Sequence, residues 1–379
     1  MKALQVFLMV VFASAAWIGE PSAQTLQTLY QTSKVDFIED VVFGNDDDDE
    51  DEGVLYHPSA VCVDDGGAVF VLDYKMFCIK KFDSSGEHLL TFSRQGEGPG
   101  ELARAYRMAM TPRGRLAVFD SDNHRITVFD CDGEYVESQG FQGWVTGFYA
   151  TADESFVVLY SIMKEDWMKN GSFYKVAHLA PDLVTETAID SGYVQDSEII
   201  QATDNSMTSV GRPFVGRFHV GALPGGNIVV AHGEEYRLRL LSPSLEPVRE
   251  VTREVARIKV TEDDKAEYYE GFEDSEENFK ILVREKVRFP KYKPYISGLY
   301  VDDEGYILVE THEKTGSDDT MYYDVFTPDG EFVNRVEMMT LKASARIKNG
   351  HLYMSRFGDD DLPVVIRYRP QAAAETANP

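Results

Sequence analysis

Two stretches of this chain hold residues whose types and spacing could do chemistry. The first is Asp46-Asp47-Asp48-Asp49-Glu50-Asp51-Glu52. Carboxylate oxygens suit Ca²⁺, a hard cation, but the run has neither the glycine at loop position six nor the spaced ligands of an EF-hand. It is expected to be a solvated acidic loop over 45–53. The second is Gly96-Glu97-Gly98-Pro99-Gly100. A phosphate-cradling loop must open a helix after a strand, or end in Lys followed by Ser or Thr, and neither context is present. These glycines are expected to serve a tight chain passage that needs positive φ. No GxSxG elbow, HExxH pair or usable Cys/His dyad occurs. Cys62, Cys78 and Cys131 are too few for a disulfide framework, and no two are spaced as CxxC. They read as packing residues, with Cys131 in a turn as a free thiol.

The elements that must position any site announce themselves by repetition. Val69-Phe70-Val71-Leu72-Asp73 leads to Phe82-Asp83-Ser84-Ser85-Gly86-Glu87, and Leu116-Ala117-Val118-Phe119-Asp120 leads to Phe129-Asp130-Cys131-Asp132-Gly133-Glu134. Every landmark moves by 47 residues. Short apolar strands recur at Phe156–Tyr160, Ile228–His232, Ile307–Thr311 and Leu352–Arg356, each after a turn signal such as Pro224-Gly225-Gly226 or Lys348-Asn349-Gly350. The count is six copies. Strand-period units of this length mean the blades of a propeller, which must stack and close to bury both faces of each sheet. The last copy runs out of chain soon after Tyr368. Its outer strand is expected from the N-terminal segment around Val35–Val42, closing the ring and removing its exposed edges.

The stretch Asp120-Ser121-Asp122-Asn123-His124-Arg125-Ile126-Thr127-Val128-Phe129-Asp130-Cys131-Asp132-Gly133 resembles the signature of an NHL repeat. Arg94-Gln95-Gly96-Glu97-Gly98-Pro99-Gly100-Glu101-Leu102 resembles the inter-blade linker of exported bacterial six-bladed β-propeller proteins. The resemblance implies an all-β, six-bladed β-propeller over 24–370. It implies little about activity, since propellers host lyases, lactonases, scaffolds and binding modules alike.

Two insertions interrupt the repeat. Residues 189–214 are polar without clear alternation and are expected to form a long loop. Residues 261–294 carry Tyr269, Phe272, Phe279, Leu282 and Val283 at near-helical spacing behind the capping sequence Thr261-Glu262-Asp263-Asp264, which predicts a short helical insertion between blades four and five. Insertions in a repeat array decorate one face, often the binding face. Residues 371–379 read as a disordered tail. At the other end, Lys2, the apolar run Ala3–Ala16 and the small residues up to Ala23 read as a signal peptide over 1–23, placing the protein in the periplasm or outside the cell. The mature chain holds no apolar run long enough to span a bilayer.

Aligning the blades on their first turn glycine puts His57, Arg104, Tyr106, Arg107, Trp144, Arg217, His219 and Tyr295 at the rim of the central channel. Arginine forks bind carboxylate or phosphate, and aromatic rings stack on sugars, so this rim suits a small anionic or sugar-like ligand. The formal charge of −27 weighs against nucleic acid and anionic membrane. The expected function is a binding scaffold for such a ligand or for another protein, working through one face or the channel. The alternative is a metal-dependent lyase or hydrolase, gluconolactonase-like or amidating-lyase-like, with a channel metal such as Ca or Zn. His57 and His219 could approach that metal, but no third ligand is evident, and no cofactor is implied by a motif.

Overall fold

The computed structural model describes residues 25–44, 52–203, 206–358 and 362–372. The signal-peptide reading and most of the acidic run, Asp46–Asp51, lie outside them. Within them the chain begins with a single helical turn, α1 (Leu26–Leu29), and the strand β1 (Val35–Phe43). Blade one is β2 (Pro58–Val63), β3 (Val69–Asp73), β4 (Cys78–Phe82) and β5 (His88–Phe92). Blade two is β6 (Ala105–Met110), β7 (Leu116–Asp120), β8 (Arg125–Phe129) and β9 (Tyr135–Gly140). Blade three is β10 (Trp144–Ala150), β11 (Phe156–Ile162), β12 (Ser172–Leu179) and β13 (Glu186–Val194), with α2 (Trp167–Asn170) between its second and third strands. A hairpin follows, β14 (Ser197–Thr203) and β15 (Ser206–Gly211). Blade four is β16 (Phe218–Ala222), β17 (Ile228–His232), β18 (Arg237–Leu241) and β19 (Pro247–Thr252). After α3 (Glu262–Glu270) and α4 (Glu277–Lys286) comes blade five, β20 (Gly298–Val301), β21 (Ile307–Lys314), β22 (Thr320–Phe326) and β23 (Phe332–Met339). The last three strands are β24 (Arg346–Lys348), β25 (His351–Phe357) and β26 (Pro363–Ala372).

Each blade is an antiparallel four-stranded meander, and the sixth has the order β1-β26-β25-β24. The N-terminal strand therefore supplies the sixth blade's outer strand, pairing Phe37 with Pro370 and Phe43 with Val365. Blade six closes the ring as the run-out of chain after Tyr368 required. The pairing extends to Asp36–Gln371 and Val35–Ala372, so the sheet takes two residues more than the boundary at 370 allowed.

The continuous apolar run of the middle strands has a direct packing cause. Alternate side chains of a blade face opposite neighbours. Phe70 and Leu72 pack with Leu116 and Val118 of blade two, whereas Val69 and Val71 pack with Tyr353 and Val365 of blade six. A middle strand covered on both sides must be apolar throughout, and β3 and β7 are buried at every position. The outer strands have no such cover and read as polar, with β9 and β19 largely exposed. The repeated turn glycines obey the same geometry. Gly133 has φ +83°, and a Cβ there would stand 2.6 Å from the Phe92 ring on the preceding blade.

The stretch 189–214 departs from the loop expected of it. Its first residues continue β13, and the rest is the β14–β15 hairpin. Alternation is weak because the covered face contributes few apolar side chains: Ile200 and Val210 pack against Val283 and Val287 of the helical insertion. The two insertions thus form one small cap with its own apolar core. α3 begins with a reciprocal capping box between Thr261 and Asp264. No helix among the described residues is long and apolar enough to cross a membrane.

Candidate functional site

In a meander that runs from the axis outward, every inner strand starts at the same end of the ring. The blade-to-blade connections and the loops between second and third strands all lie at that end. It therefore carries α2, the β14–β15 hairpin, α3 and α4, while the opposite end has the tight turns and α1, after which Tyr30 donates to Asp302 of the β20–β21 turn at 3.2 Å. Exposed apolar side chains collect on the decorated end, among them Tyr56, Met76, Trp144, Met163, Met168 and Phe357.

The repeated aspartates build this end rather than react on it. Asp120 is fully buried at the end of β7 and accepts from the backbone N–H groups of Ala103 and Arg104, both at 2.8 Å, and from Asn123 Nδ2 at 2.8 Å. Asp73 does the same for Tyr56 N at 2.7 Å and His57 N at 3.0 Å. The carboxylate thus satisfies the incoming linker just before it becomes the next inner strand. The signature residues around it hold the glycine-rich passage: Asn123 Nδ2 donates to Gly96 O at 2.9 Å, and Arg125 donates to Gly98 O and Glu101 O, both at 2.7 Å. Gly100 adopts φ +72° within it.

Four of the eight rim residues come together at the junction of blades two and three. The rings of Tyr106 and Trp144 are 5.1 Å apart, Arg104 stands 5.5 Å over Trp144, and Arg107 stands 5.4 Å over Tyr106. This is a ladder of two neighbouring aromatic rings with a guanidinium at each end, stabilised by cation–π attraction. Trp144 is 45% exposed and Arg104 is open to solvent beside Asp122, 3.9 Å away. Burial pushes the Tyr106 hydroxyl up to about 12. The remaining four lie apart from the ladder. His57 is exposed on blade one against Tyr74. Arg217 is exposed at the start of blade four. Tyr295 helps line a separate cavity of about 390 Å³ beneath the cap, with Arg253, His312 and Arg335.

His219 points into the protein body, where its Nε2 has no hydrogen-bond partner. Burial, aided by neighbouring His232, holds its imidazole down at about 4; burial does the same for His312, also at about 4. Both folded values lie below the unfolded value of about 6.5. The neutral imidazoles therefore contribute stability that is complete above pH ~6.5 and lost as the pH falls towards ~4. Replacing His219 and His312 by glutamine is expected to flatten the fall in unfolding free energy across that window by several kcal/mol, measured by urea melts at successive pH values.

A larger cavity, about 620 Å³, lies at the other end of the channel. It is lined from all six blades by inner-strand ends and their turns, and none of the eight rim residues lines it. Its walls include Met108, Phe148, Tyr149, Val301 and Arg346. Sequence reasoning missed Tyr149 and Arg346. Arg346 sits four residues before Gly350 in the blade whose repeat is weakest, and only an alignment carried through that turn would have found it. Among the described residues, no group of three or more His, Cys, Asp or Glu side chains is placed to hold a metal ion.

Six antiparallel blades around an open channel, closed by an N-terminal strand, define a β-propeller. The family model of the NHL repeat matches residues 55–82. The protein lin-41 of Caenorhabditis elegans is 42% identical over 48 residues, which are 13% of this chain and 4% of that protein. A member of the DUF4221 family from Bacteroides vulgatus superposes with a TM-score of 0.54 at 13% identity, over 90% of this chain and 99% of that one. A protein of Bacteroides fragilis assigned as exported gives 0.52 at 10% identity, over 92% and 97%. These likenesses show the fold. The chain is a six-bladed β-propeller whose first blade matches the NHL repeat.

Proposed function

We propose that this propeller is an exported binding scaffold that holds a protein partner on its decorated end. The observation that carries the reading is the gathering of both insertions and of exposed Tyr56, Met76, Trp144, Met163, Met168 and Phe357 at one end of the ring. Exposed aromatic and methionine side chains beside arginine are the composition of interface hot spots. The Arg104–Trp144–Tyr106 ladder supplies a rigid anchor at the centre of that surface. Export is supported by the signal-like first 23 residues and by the likeness to a protein assigned as exported.

The test compares proteins captured from the secreted or periplasmic fraction by the wild type, by Trp144→Ala with Arg104→Ala, and by Val184→Ser. Val184 is 62% exposed on a turn at the opposite end. A partner retained by Val184→Ser and weakened about tenfold or more by the ladder variant is expected, since a buried aromatic–arginine anchor contributes about 2 kcal/mol or more. Equal capture by all three would refute a decorated-end interface.

A further inference from the structure

The cavity at the plain end of the channel has chemistry of its own. Its depth is bounded by Arg346 on β24, whose guanidinium lies 5.9 Å from the Tyr149 ring and donates to the carbonyl of its own neighbour Ala345 at 2.8 Å. Arg107, outside the lining but near enough to feel the charge of Arg346, donates Nε–H to Thr146 O at 3.1 Å and Nη1–H to Tyr106 O at 3.0 Å. Neither guanidinium forms an ion pair within 4.0 Å among the described residues. Elsewhere the acidic chain supplies its arginines freely: Arg94, Arg212, Arg253, Arg335 and Arg367 all meet carboxylates. Arg346 is therefore an unpaired cation in the cavity wall, set deeper than Asp64, Asp65, Asp302 and Asp303, which the turns at the plain end bring to the mouth. Burial lowers Arg107's hold on its proton, and the nearby charge of Arg346 lowers it further. Below Arg346 the wall turns apolar, with Met108, Phe148, Ala222 and Val301.

We propose that the channel binds a small organic acid, its carboxylate on Arg346 beside Tyr149 and its apolar body lying along Met108, Phe148 and Val301 towards the plain end. Guanidinium groups present paired donors matched to a carboxylate, and Tyr149 adds a further hydroxyl beside them. A cavity of about 620 Å³ suits a molecule of that size. The mixed mouth, where Lys348 pairs with Asp65 at 2.6 Å, admits the ligand without holding it. This site stands apart from the decorated end and needs no partner there.

The experiment titrates octanoate, benzoate and inorganic sulfate into the full-length mature protein by calorimetry, with thermal melting in parallel. Saturable binding of octanoate or benzoate is expected, raising the melting temperature, with sulfate weaker by about tenfold because it leaves the apolar wall uncovered. Arg346→Met should reduce octanoate affinity by about tenfold or more. Its ligand-free melting temperature should stay level or rise, because repulsion from Arg107 is relieved. Arg346→Lys should retain part of the affinity. No saturable binding by either organic acid, or binding unchanged in Arg346→Met, would overturn the proposal. So would a large loss of stability in ligand-free Arg346→Met, which would make the arginine a structural residue. Sulfate binding as tightly as octanoate would overturn the apolar-body assignment. Failure here leaves partner capture at the decorated end intact, so the two readings are separable.

Discussion

Replacing Asp120 by alanine is expected to destabilise the protein by about 3–5 kcal/mol, seen as a lower midpoint in urea unfolding. Its carboxylate is fully buried and accepts from Ala103 N, Arg104 N and Asn123 Nδ2. Alanine strands these donors away from water, at about 1–3 kcal/mol for each group left unsatisfied. Asp120→Asn keeps one acceptor oxygen and should cost less. The effect should also be directional. Hydrogen exchange should rise first around residues 103–107, because Asp120 fixes the linker that delivers Arg104 and Tyr106 to the rim. An Asp120→Ala variant as stable as the wild type would show that the repeated aspartate does not hold the blade junction.

The second large effect is expected in the cap. Lys293 Nζ contacts Asp264 Oδ1 at 2.6 Å, and the two side chains are only 6% and 3% exposed. The ion pair with Lys293 and the hydrogen bonds from Thr261 outweigh burial and hold the Asp264 carboxyl down at about 2. Lys293→Met removes the cation and leaves the carboxylate buried, a change that costs about 3–5 kcal/mol when one partner of a buried pair is lost. Lys314, at 4.0 Å and largely exposed, is a poor substitute. The loss should be local: exchange over 262–286 and over the β14–β15 hairpin accelerates, while the blades keep their protection. Lys293→Met combined with Asp264→Leu should recover part of the loss, since no charge is then left unpaired. Because the folded value of Asp264 lies below the unfolded one, the wild-type contribution is complete above pH ~4 and disappears as the pH falls to ~2.

The legible part of the fold is the part built by repetition. The 47-residue shift from Asp73 to Asp120 was visible because both aspartates perform the same task for the same kind of linker. Later blades solve that task differently. In blade four, Glu234 accepts from Gly216 N at 3.1 Å, from a loop position the repeat does not mark. The signal faded there because the chemistry changed while the geometry did not. The β14–β15 hairpin was illegible for another reason: its covered face gives the cap only Ile200 and Val210, too few apolar residues to mark a period of two. At the site, the Arg104–Trp144–Tyr106–Arg107 ladder was within reach, since all four residues fall on two inner strands of the well-marked blades. Arg346 and Tyr149 were not, because they meet across the ring from blades three and six. Closing that distance requires the full circle of the propeller, which no local spacing encodes.

The decorated end is the central functional claim, and hydrogen exchange on the partner-bound complex tests it most directly. The account predicts new protection at residues 52–57, 103–107 and 163–170 and over the α3–α4 cap, with the tight turns at 64–67, 111–114 and 223–226 unchanged. Protection confined to those turns would place the partner on the plain end and contradict the account.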